Sequence, residues 1–288
     1  MRIYKPRKQP TRRRRGGGRI QIAYYDLPAY KTPTEDRISV PIISQNITVL
    51  GLFDGHSGSN ISELLHSELP KRISQAINGN QDTGTIIQII NEEFARIDNE
   101  IGTNVGGSTA TVAVITKTDI IVANVGDSPA ILFKKGGTLL SNTEDHDCSN
   151  VSEHDRISKA GGTCVLLQGK PRLESGLAVT RAFGDYVHDK RIVISTPQIY
   201  IWPRQKDTFL ALCSDSFTEG YYQFSEAGQM YKTIGNIYKP IDIVHELMFI
   251  LEINNWNIEK TVKQAVERRV DKFNSQGDNT SLLIAYFP

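Results

Sequence analysis

Cysteine is scarce in this chain, which contains Cys148, Cys164 and Cys213 among its 288 residues. The number is odd and the spacing matches no metal-ligand pattern. We therefore expect reduced thiols in an intracellular protein of the cytoplasm or nucleus. Cys213 lies inside an apolar run and is predicted to be a core residue.

Long hydrophobic runs are also missing. No apolar stretch reaches the roughly 20 residues of a membrane span, and the first residues lack the apolar block of a secretory signal. The phosphate loop Gly-x-x-x-x-Gly-Lys and the zinc helix His-Glu-x-x-His are absent. Residues 55–59 come near the serine-hydrolase motif, but Ser59 stands where its last glycine belongs. We expect a soluble, monomeric protein that belongs to none of these three enzyme classes.

Acidic residues are missing from one part of the chain. Residues 1–19 contain nine basic residues and no acidic ones, whereas the remainder has a net charge of −8. With three glycines following the arginines, this tail cannot bury surface and should be disordered. It could bind nucleic acid or an anionic surface, or act as a nuclear import signal. A solvated tail without a dedicated partner explains it equally well.

The stretch that organises the remaining residues, 20–288, is a strand that runs into Asp54. Seven apolar and β-branched residues precede this carboxylate, and glycines and serines after it open a pattern of helical spacing. The strand would therefore deliver Asp54 to a turn. Alternatively, Asp54 and Gly55 form an ordinary tight turn in which the aspartate bonds its own backbone.

Short β-branched segments separated by turn residues predict many strands. The strands are predicted at 38–43, 47–53, 108–115, 120–125, 130–133, 208–213 and 282–287. Helical spacing predicts helices over 61–77, 86–101 and 258–270, with Pro70 kinking or restarting the first one. Consecutive strands with grouped helices predict an α+β fold of mostly antiparallel sheets covered by helices.

Acidic residues stand at the ends of several predicted strands. Asp54 and Asp215 follow strands, whereas Glu35 and Asp278 precede strands. Because the end of one antiparallel strand lies beside the beginning of its neighbour, these four could converge at one edge. Crowded carboxylates repel unless cations lie among them. Oxygen ligands favour Mg²⁺, Mn²⁺ or Ca²⁺ over zinc.

Seven sequence blocks, in order, resemble the signature of the metal-dependent protein phosphatases, the PP2C-type Ser/Thr phosphatases. They span almost the whole body of the chain, from Glu35 to Thr280. The blocks are Asp-Gly-His-Ser-Gly (54–58), Gly-Ser-Thr-Ala (107–110), Ala-Asn-Val-Gly-Asp-Ser (123–128), Ala-Gly-Gly (160–162), Leu-Ala-Val-Thr-Arg-Ala-Phe-Gly-Asp (177–185), Ser-Asp (214–215) and Asp-Asn-Thr (278–280). Each block alone is a weak signal, but their order is specific.

The resemblance implies a four-layer α-β-β-α sandwich with a binuclear Mn²⁺ or Mg²⁺ centre at one end. Asp54 would bridge the two ions. Glu35 and the Gly55 carbonyl would hold one ion, and Asp215 and Asp278 the other. Asp36, beside Glu35, would orient a ligand or a metal-bound water.

The implied reaction is hydrolysis of phosphoserine or phosphothreonine in phosphoproteins. A water shared by the two ions would attack phosphorus directly, without a covalent intermediate. His56 would protonate the departing alkoxide, a leaving group that needs such help. Alternatively, His56 merely bonds a neighbouring carboxylate.

The chain departs from the family pattern at several positions. Lys31 stands where the family has a phosphate-gripping arginine, so the charge is kept but the bidentate fork is lost. Ser216 stands where the family typically has glycine. Asp145 matches one acid of a third-ion site, but Glu219 replaces its aspartate, so the pattern supports two ions more fully than three.

Some blocks are interpreted as structural. Gly126-Asp127-Ser128 reads as a hairpin turn, and a buried salt bridge or loop brace explains Arg181 and Asp185 as well as a substrate contact does. Residues 162–177 resemble the variable flap beside the family's site.

The rival function is a catalytically weak or inactive phosphatase-like module that binds or scaffolds phosphoproteins. Loss of a metal-binding acid would favour it, but all four acids are present.

Overall fold

A computed structural model describes residues 19–28, 34–44, 46–77, 82–102, 106–167, 169–218, 221–224, 230–234, 239–272 and 279–288. Residues 1–18 of the tail, the predicted site residues Lys31 and Asp278, and Glu219 lie outside these residues.

The helices of the described residues are α1 (Asn60–Ala76), α2 (Thr83–Ile101), α3 (Val151–Lys159), α4 (Asp215–Thr218), α5 (Pro240–Ile253) and α6 (Ile258–Lys272). The strands are β1 (Gln21–Leu27), β2 (Arg37–Ile38), β3 (Ile42–Ser44), β4 (Ile47–Phe53), β5 (Gly55–His56), β6 (Gly107–Ser108), β7 (Ala110–Ile115), β8 (Asp119–Val125), β9 (Ala130–Lys134), β10 (Leu139–Asn142), β11 (Cys164–Leu167), β12 (Lys170–Leu173), β13 (Phe183–Gly184), β14 (Gln198–Pro203), β15 (Thr208–Cys213), β16 (Tyr221–Phe224), β17 (Met230–Ile234) and β18 (Thr280–Phe287).

Two large antiparallel sheets form the centre of the fold. One has the order β1-β18-β15-β9-β10, and the other has the order β14-β8-β7-β4-β2, with β3 also paired to β4. Side chains alternate between faces along each strand. Leu50 and Leu52 of β4 therefore meet Leu210 and Leu212 of β15 in an apolar layer between the sheets.

The opposite faces of the sheets are covered by helices. Val49 and Phe53 of β4 pack with α1 and α2, whereas Phe209 and Cys213 of β15 pack with α5 and α6. Three apolar layers thus separate four structural layers, and the predicted α-β-β-α sandwich is confirmed. Because both sheets are covered on both sides, their central strands are apolar at almost every position.

The predicted elements differ from the structure at several points. Residues 38–43 form β2 and β3 rather than one strand, separated at Ser39–Pro41, where proline lacks a backbone donor. Helix α1 continues through Pro70 instead of restarting. The Pro70 ring lies over Gly51, where a Cβ would be 3.3 Å from Pro70 Cγ. Strand β1 and helix α5 were not predicted, and α5 is apolar on most sides, which hides helical spacing.

The expectation of three reduced thiols is wrong for two of them. Cys148 and Cys164 form a disulfide that joins the loop before α3 to β11, with 5.8 Å between their Cα atoms. Cys213 is a free, buried cysteine, as predicted. The cysteine content therefore no longer supports the expected intracellular location.

Within the described ranges, no helix has both the length and the apolar character of a membrane span.

The disulfide should contribute measurably to stability. It closes a loop with a sequence separation of 16, and a loop of that size restricts the unfolded chain by about 3 kcal/mol. We expect Cys148→Ser to lower the free energy of unfolding by about that amount in urea denaturation. Reductant should destabilise the wild type but leave a double variant, Cys148→Ser with Cys164→Ser, unchanged. Equal stability of oxidised and reduced wild type would contradict this expectation.

Candidate active site at the strand ends

Asp54, directly after β4, is held through its backbone by a threonine of the second sequence block. Its N–H donates to Thr109 Oγ1 at 3.1 Å, and its carbonyl accepts from the Thr109 N–H at 2.9 Å. Thr109 Oγ1 also lies 2.8 Å from Ser128 Oγ. Gly126 passes so close that a Cβ there would be 2.6 Å from Thr109 Cγ2. Residues of the second and third blocks therefore hold the backbone of Asp54 in place.

The predicted hairpin at Gly126-Asp127-Ser128 is wrong, because β8 and β9 belong to different sheets. The turn crosses from one sheet to the other at the level of Asp54. Its glycine has a φ of +100°, a conformation that other residues rarely adopt.

Glu35 and Gly55 meet beside Asp54. The register of β2 on β4 pairs Arg37 with Phe53, which brings residues 35 and 36 to the end of β4. Glu35 Oε1 accepts from the Gly58 N–H at 2.7 Å. A Cβ on Gly55 would lie 2.7 Å from the Glu35 carbonyl oxygen, so only glycine permits this approach.

A buried hydrogen bond joins the two sheets at this edge. Asp36, only 2% exposed, accepts from Ser281 Oγ of β18 at 2.7 Å. Ser281 also bonds Ser214, the residue before Asp215, through N–H to Oγ at 3.0 Å and carbonyl to N–H at 3.1 Å. The beginnings of β2 and β18 and the end of β15 are therefore tied together.

Ser216, which replaces the glycine typical of the family, is integrated into this edge. Its hydroxyl donates to the Asn279 carbonyl and lies 3.0 Å from Ser214 Oγ. Asp215 is thus held beside Asn279, the residue that follows Asp278 in sequence.

The donor set fits a hard divalent cation. Glu35, Asp54, the Gly55 carbonyl and Asp215 offer only oxygen ligands, and they stand at strand ends that the hydrogen bonds above connect. Among the described residues, no three His, Cys, Asp or Glu side chains form a ready cation site, and Asp278 lies outside them. The metal-ligand roles of these residues therefore stay predictions.

Asp145 lies on the wall of a cavity of about 770 Å³. Thr218 of α4 lines the same cavity, so this space adjoins the helix that begins with Asp215.

His56 has a partner that the sequence did not assign to it. Its Nε2 lies 2.7 Å from Asp185 Oδ2. The two residues stand 129 positions apart and meet because β5 and β13 both pair with β6. The only sequence signal was that both lie in blocks of the family signature.

Arg181 belongs to a buried ion network, one of the alternatives considered for it. Glu153 is 1% exposed and receives hydrogen bonds from Arg181 at 2.6 Å, Arg156 at 2.8 Å and Thr180 at 2.8 Å. Burial alone would raise the pKa of Glu153, but these donors outweigh it and lower the pKa to about 2.

His146 supports the turn at Gly126 through hydrogen bonds of its ring. Its Nδ1 accepts from the Gly126 N–H at 3.1 Å, and Nε2 lies 2.9 Å from Gln198 Oε1. Burial, with a smaller contribution from the charge of Arg181, lowers the pKa of His146 to about 4. The neutral ring therefore acts as a hydrogen-bonding brace.

Several known proteins are similar to this chain in sequence. The family model described as Protein phosphatase 2C matches residues 34–224. Protein phosphatase 1L of Bos taurus is 29% identical over 217 residues, covering 69% of this chain and 60% of that protein. Probable protein phosphatase 2C 45 of Oryza sativa subsp. japonica is 33% identical over 189 residues, covering 63% of this chain and 65% of that protein. The chain thus spans less than two thirds of the length of these relatives.

Solved structures share the fold. A phosphatase from a pathogenic strain of Toxoplasma gondii superposes with a TM-score of 0.76 at 18% identity, covering 93% of this chain and 92% of that one. A serine-threonine phosphatase 2C from Toxoplasma gondii gives 0.70 at 18% identity, covering 94% and 96%.

The buried network makes a prediction about acid stability. Because the folded pKa of Glu153 is about 2, well below its ordinary value, the carboxylate stabilises the fold at neutral pH, and this contribution is lost as pH falls from about 4.5 to 2. We expect Glu153→Gln to cost on the order of 3 kcal/mol at pH 7, with a gap to wild type that narrows in acid. Urea denaturation at several pH values measures this difference in the free energy of unfolding.

The matched control is Asp155→Asn, which neutralises an exposed carboxylate of the same helix. It should change stability by no more than about 0.5 kcal/mol. A gap between Glu153→Gln and wild type that stays constant from pH 7 to pH 3 would contradict the assigned network.

Proposed function

The chain belongs to the protein phosphatase 2C family, and we propose that it hydrolyses phosphoserine and phosphothreonine in phosphoproteins. One observation carries the proposal: the strand ends that bear Glu35, Asp54 and Asp215 are tied together across both sheets by the Asp36–Ser281 hydrogen bond. His56 follows Asp54 by two residues. A carboxylate-rich edge with an adjacent imidazole suits phosphoryl transfer to water.

In this proposal Mn²⁺ or Mg²⁺ ions are held by Asp54, Glu35, the Gly55 carbonyl, Asp215 and Asp278. Such ions, when bound, supply an activated water and positive charge for the phosphoryl oxygens. The oxygen-only donors and the close approach of Glu35 to Gly55 support this assignment. Asp145 would belong to a third-ion site rather than to these two ions, in the cavity that it lines together with Thr218.

The protein's own residues perform the remaining tasks. His56, with 28% of its side chain exposed, is accessible to a substrate and would give a proton to the departing serine or threonine oxygen. Lys31 would attract the phosphate as a point charge, without the two-point grip of an arginine. Asp36 would support the site indirectly. Its hydrogen bond with Ser281 holds the segment that contains Glu35.

The proposal predicts metal-dependent release of phosphate from a phosphothreonine peptide. Activity should require Mn²⁺ or Mg²⁺, disappear with chelator, and fall in Asp54→Asn to the level of the chelated wild type. Asp271→Asn removes an exposed carboxylate of α6 and should keep full activity. Release that neither chelator nor Asp54→Asn affects would refute the metal centre, and a wild type without activity would favour the binding or scaffold module.

We also propose that the basic tail, residues 1–19, binds nucleic acid or an anionic surface. The 288-residue chain should bind duplex DNA more tightly than a version that starts at Arg19. The difference in affinity should shrink as the salt concentration rises, because binding to phosphates releases counterions. Fluorescence anisotropy over a salt series measures both affinities. Equal affinities with a flat salt response would leave the tail without this role.

A further inference from the structure

The contact between His56 and Asp185 combines a buried carboxylate with an accessible imidazole. The Nε2 to Oδ2 distance is 2.7 Å, and the exposed side-chain fractions are 28% for the histidine and 5% for the aspartate. The carboxylate therefore faces the ring from the protein interior. The ring keeps an open side toward the surface.

The backbone of β6 passes close to the pair. Strand β6 lies between β5 and β13, with Gly107 opposite both His56 and Gly184. A Cβ on Gly107 would lie 2.3 Å from Asp185 Oδ2 and 2.5 Å from His56 Nε2. The glycine thus makes the space in which the two side chains meet.

Asp185 itself is held in an unusual conformation. Its φ is +52°, which is uncommon for a residue other than glycine, and its N–H donates to the Gly106 carbonyl at 2.9 Å. A Cβ on the preceding Gly184 would be only 2.5 Å from that same carbonyl oxygen. Two consecutive positions, Gly184 and Asp185, therefore fix the turn after β13, from which the Asp185 carboxylate reaches the imidazole.

The segment also has an anchor that does not touch His56. Asp98 of α2 accepts from the Gly184 N–H at 3.0 Å and pairs with Lys190 at 3.1 Å. The position of β13 can thus be disturbed separately from the contact with the imidazole, which offers a control.

We propose that Asp185 is the positioning residue for His56. Its carboxylate accepts a hydrogen bond from the Nε2–H group. This bond fixes the tautomer and the ring plane and leaves Nδ1 as the nitrogen that exchanges a proton with the substrate. As a water oxygen bonds to phosphorus and the bond from phosphorus to the serine or threonine oxygen breaks, a proton carried on Nδ1 passes to that leaving oxygen. The water loses one proton to solvent, and the neutral ring later regains one proton from solvent. This role rests on the proposed phosphatase function.

Leaving-group chemistry separates positioning from general support of the fold. A serine or threonine alkoxide is a poor leaving group and requires the proton, whereas p-nitrophenolate leaves without one. Damage to the site as a whole should slow both reactions together. Loss of a correctly oriented imidazole should slow mainly the reaction with the poor leaving group.

The test compares kcat of Asp185→Asn on a phosphothreonine peptide and on p-nitrophenyl phosphate. We expect at least about a tenfold loss on the peptide and a change within about twofold on the aryl phosphate, with the peptide KM unchanged. Gly107→Ala, which pushes the two side chains apart, should show the same split. In a His56→Gln background, Asp185→Asn should have no further effect.

The control, Asp98→Asn, disturbs the anchor of β13 and should change kcat on the two substrates in equal proportion. Equal losses on both substrates in Asp185→Asn, or no loss on either, would overturn the positioning role. Nitrogen-15 NMR of the metal-free protein gives a readout independent of activity: the proton of the neutral His56 ring should reside on Nε2 in wild type and lose that preference in Asp185→Asn. A proton on Nδ1 in wild type would refute the proposal, whereas a wild type inactive on both substrates would refute the phosphatase function alone.

Discussion

A buried hydrogen bond between the two sheets is the central constraint on the structure of the candidate site. Apolar side chains pack the sheets together along their length but provide no directional contact at the end where the acids stand. Asp36 and Ser281 supply that contact at 2.7 Å. A buried carboxylate is stable only when such donors satisfy it. The bond therefore links the beginnings of β2 and β18, and through Ser214 the end of β15, at one edge.

Glycines allow the rest of the site to close around this edge. Gly55 lies against the Glu35 carbonyl, Gly107 against the His56–Asp185 pair, and Gly126 against Thr109, each at a distance that a Cβ would not permit. These three glycines belong to three different sequence blocks. Part of the family signature thus records close approaches that only glycine allows, beside the positions that offer side-chain chemistry.

The sequence predicted elements whose pattern is local. The strand 208–213 has the predicted bounds, and Asp54 follows β4 as expected, because alternation and turn residues are readable over a few positions. Contacts between distant segments leave no such pattern. Asp185 reaches His56 through a shared neighbour strand, and Cys148 reaches Cys164 through the packing of α3 against β11. The hairpin prediction at 126–128 is wrong because a turn with this sequence can join two strands of one sheet or strands of two different sheets.

The departure at Ser216 bears on whether the site is catalytically competent. If glycine is normally needed there for space, a serine would displace Asp215 and favour a non-catalytic module. Instead the side chain is 96% buried by its neighbours, and its hydroxyl bonds the Asn279 carbonyl and approaches Ser214 Oγ. These contacts join the strand end that carries Asp215 to the start of β18. The added hydroxyl therefore braces the edge on which the acids stand, and the substitution is no argument against catalysis.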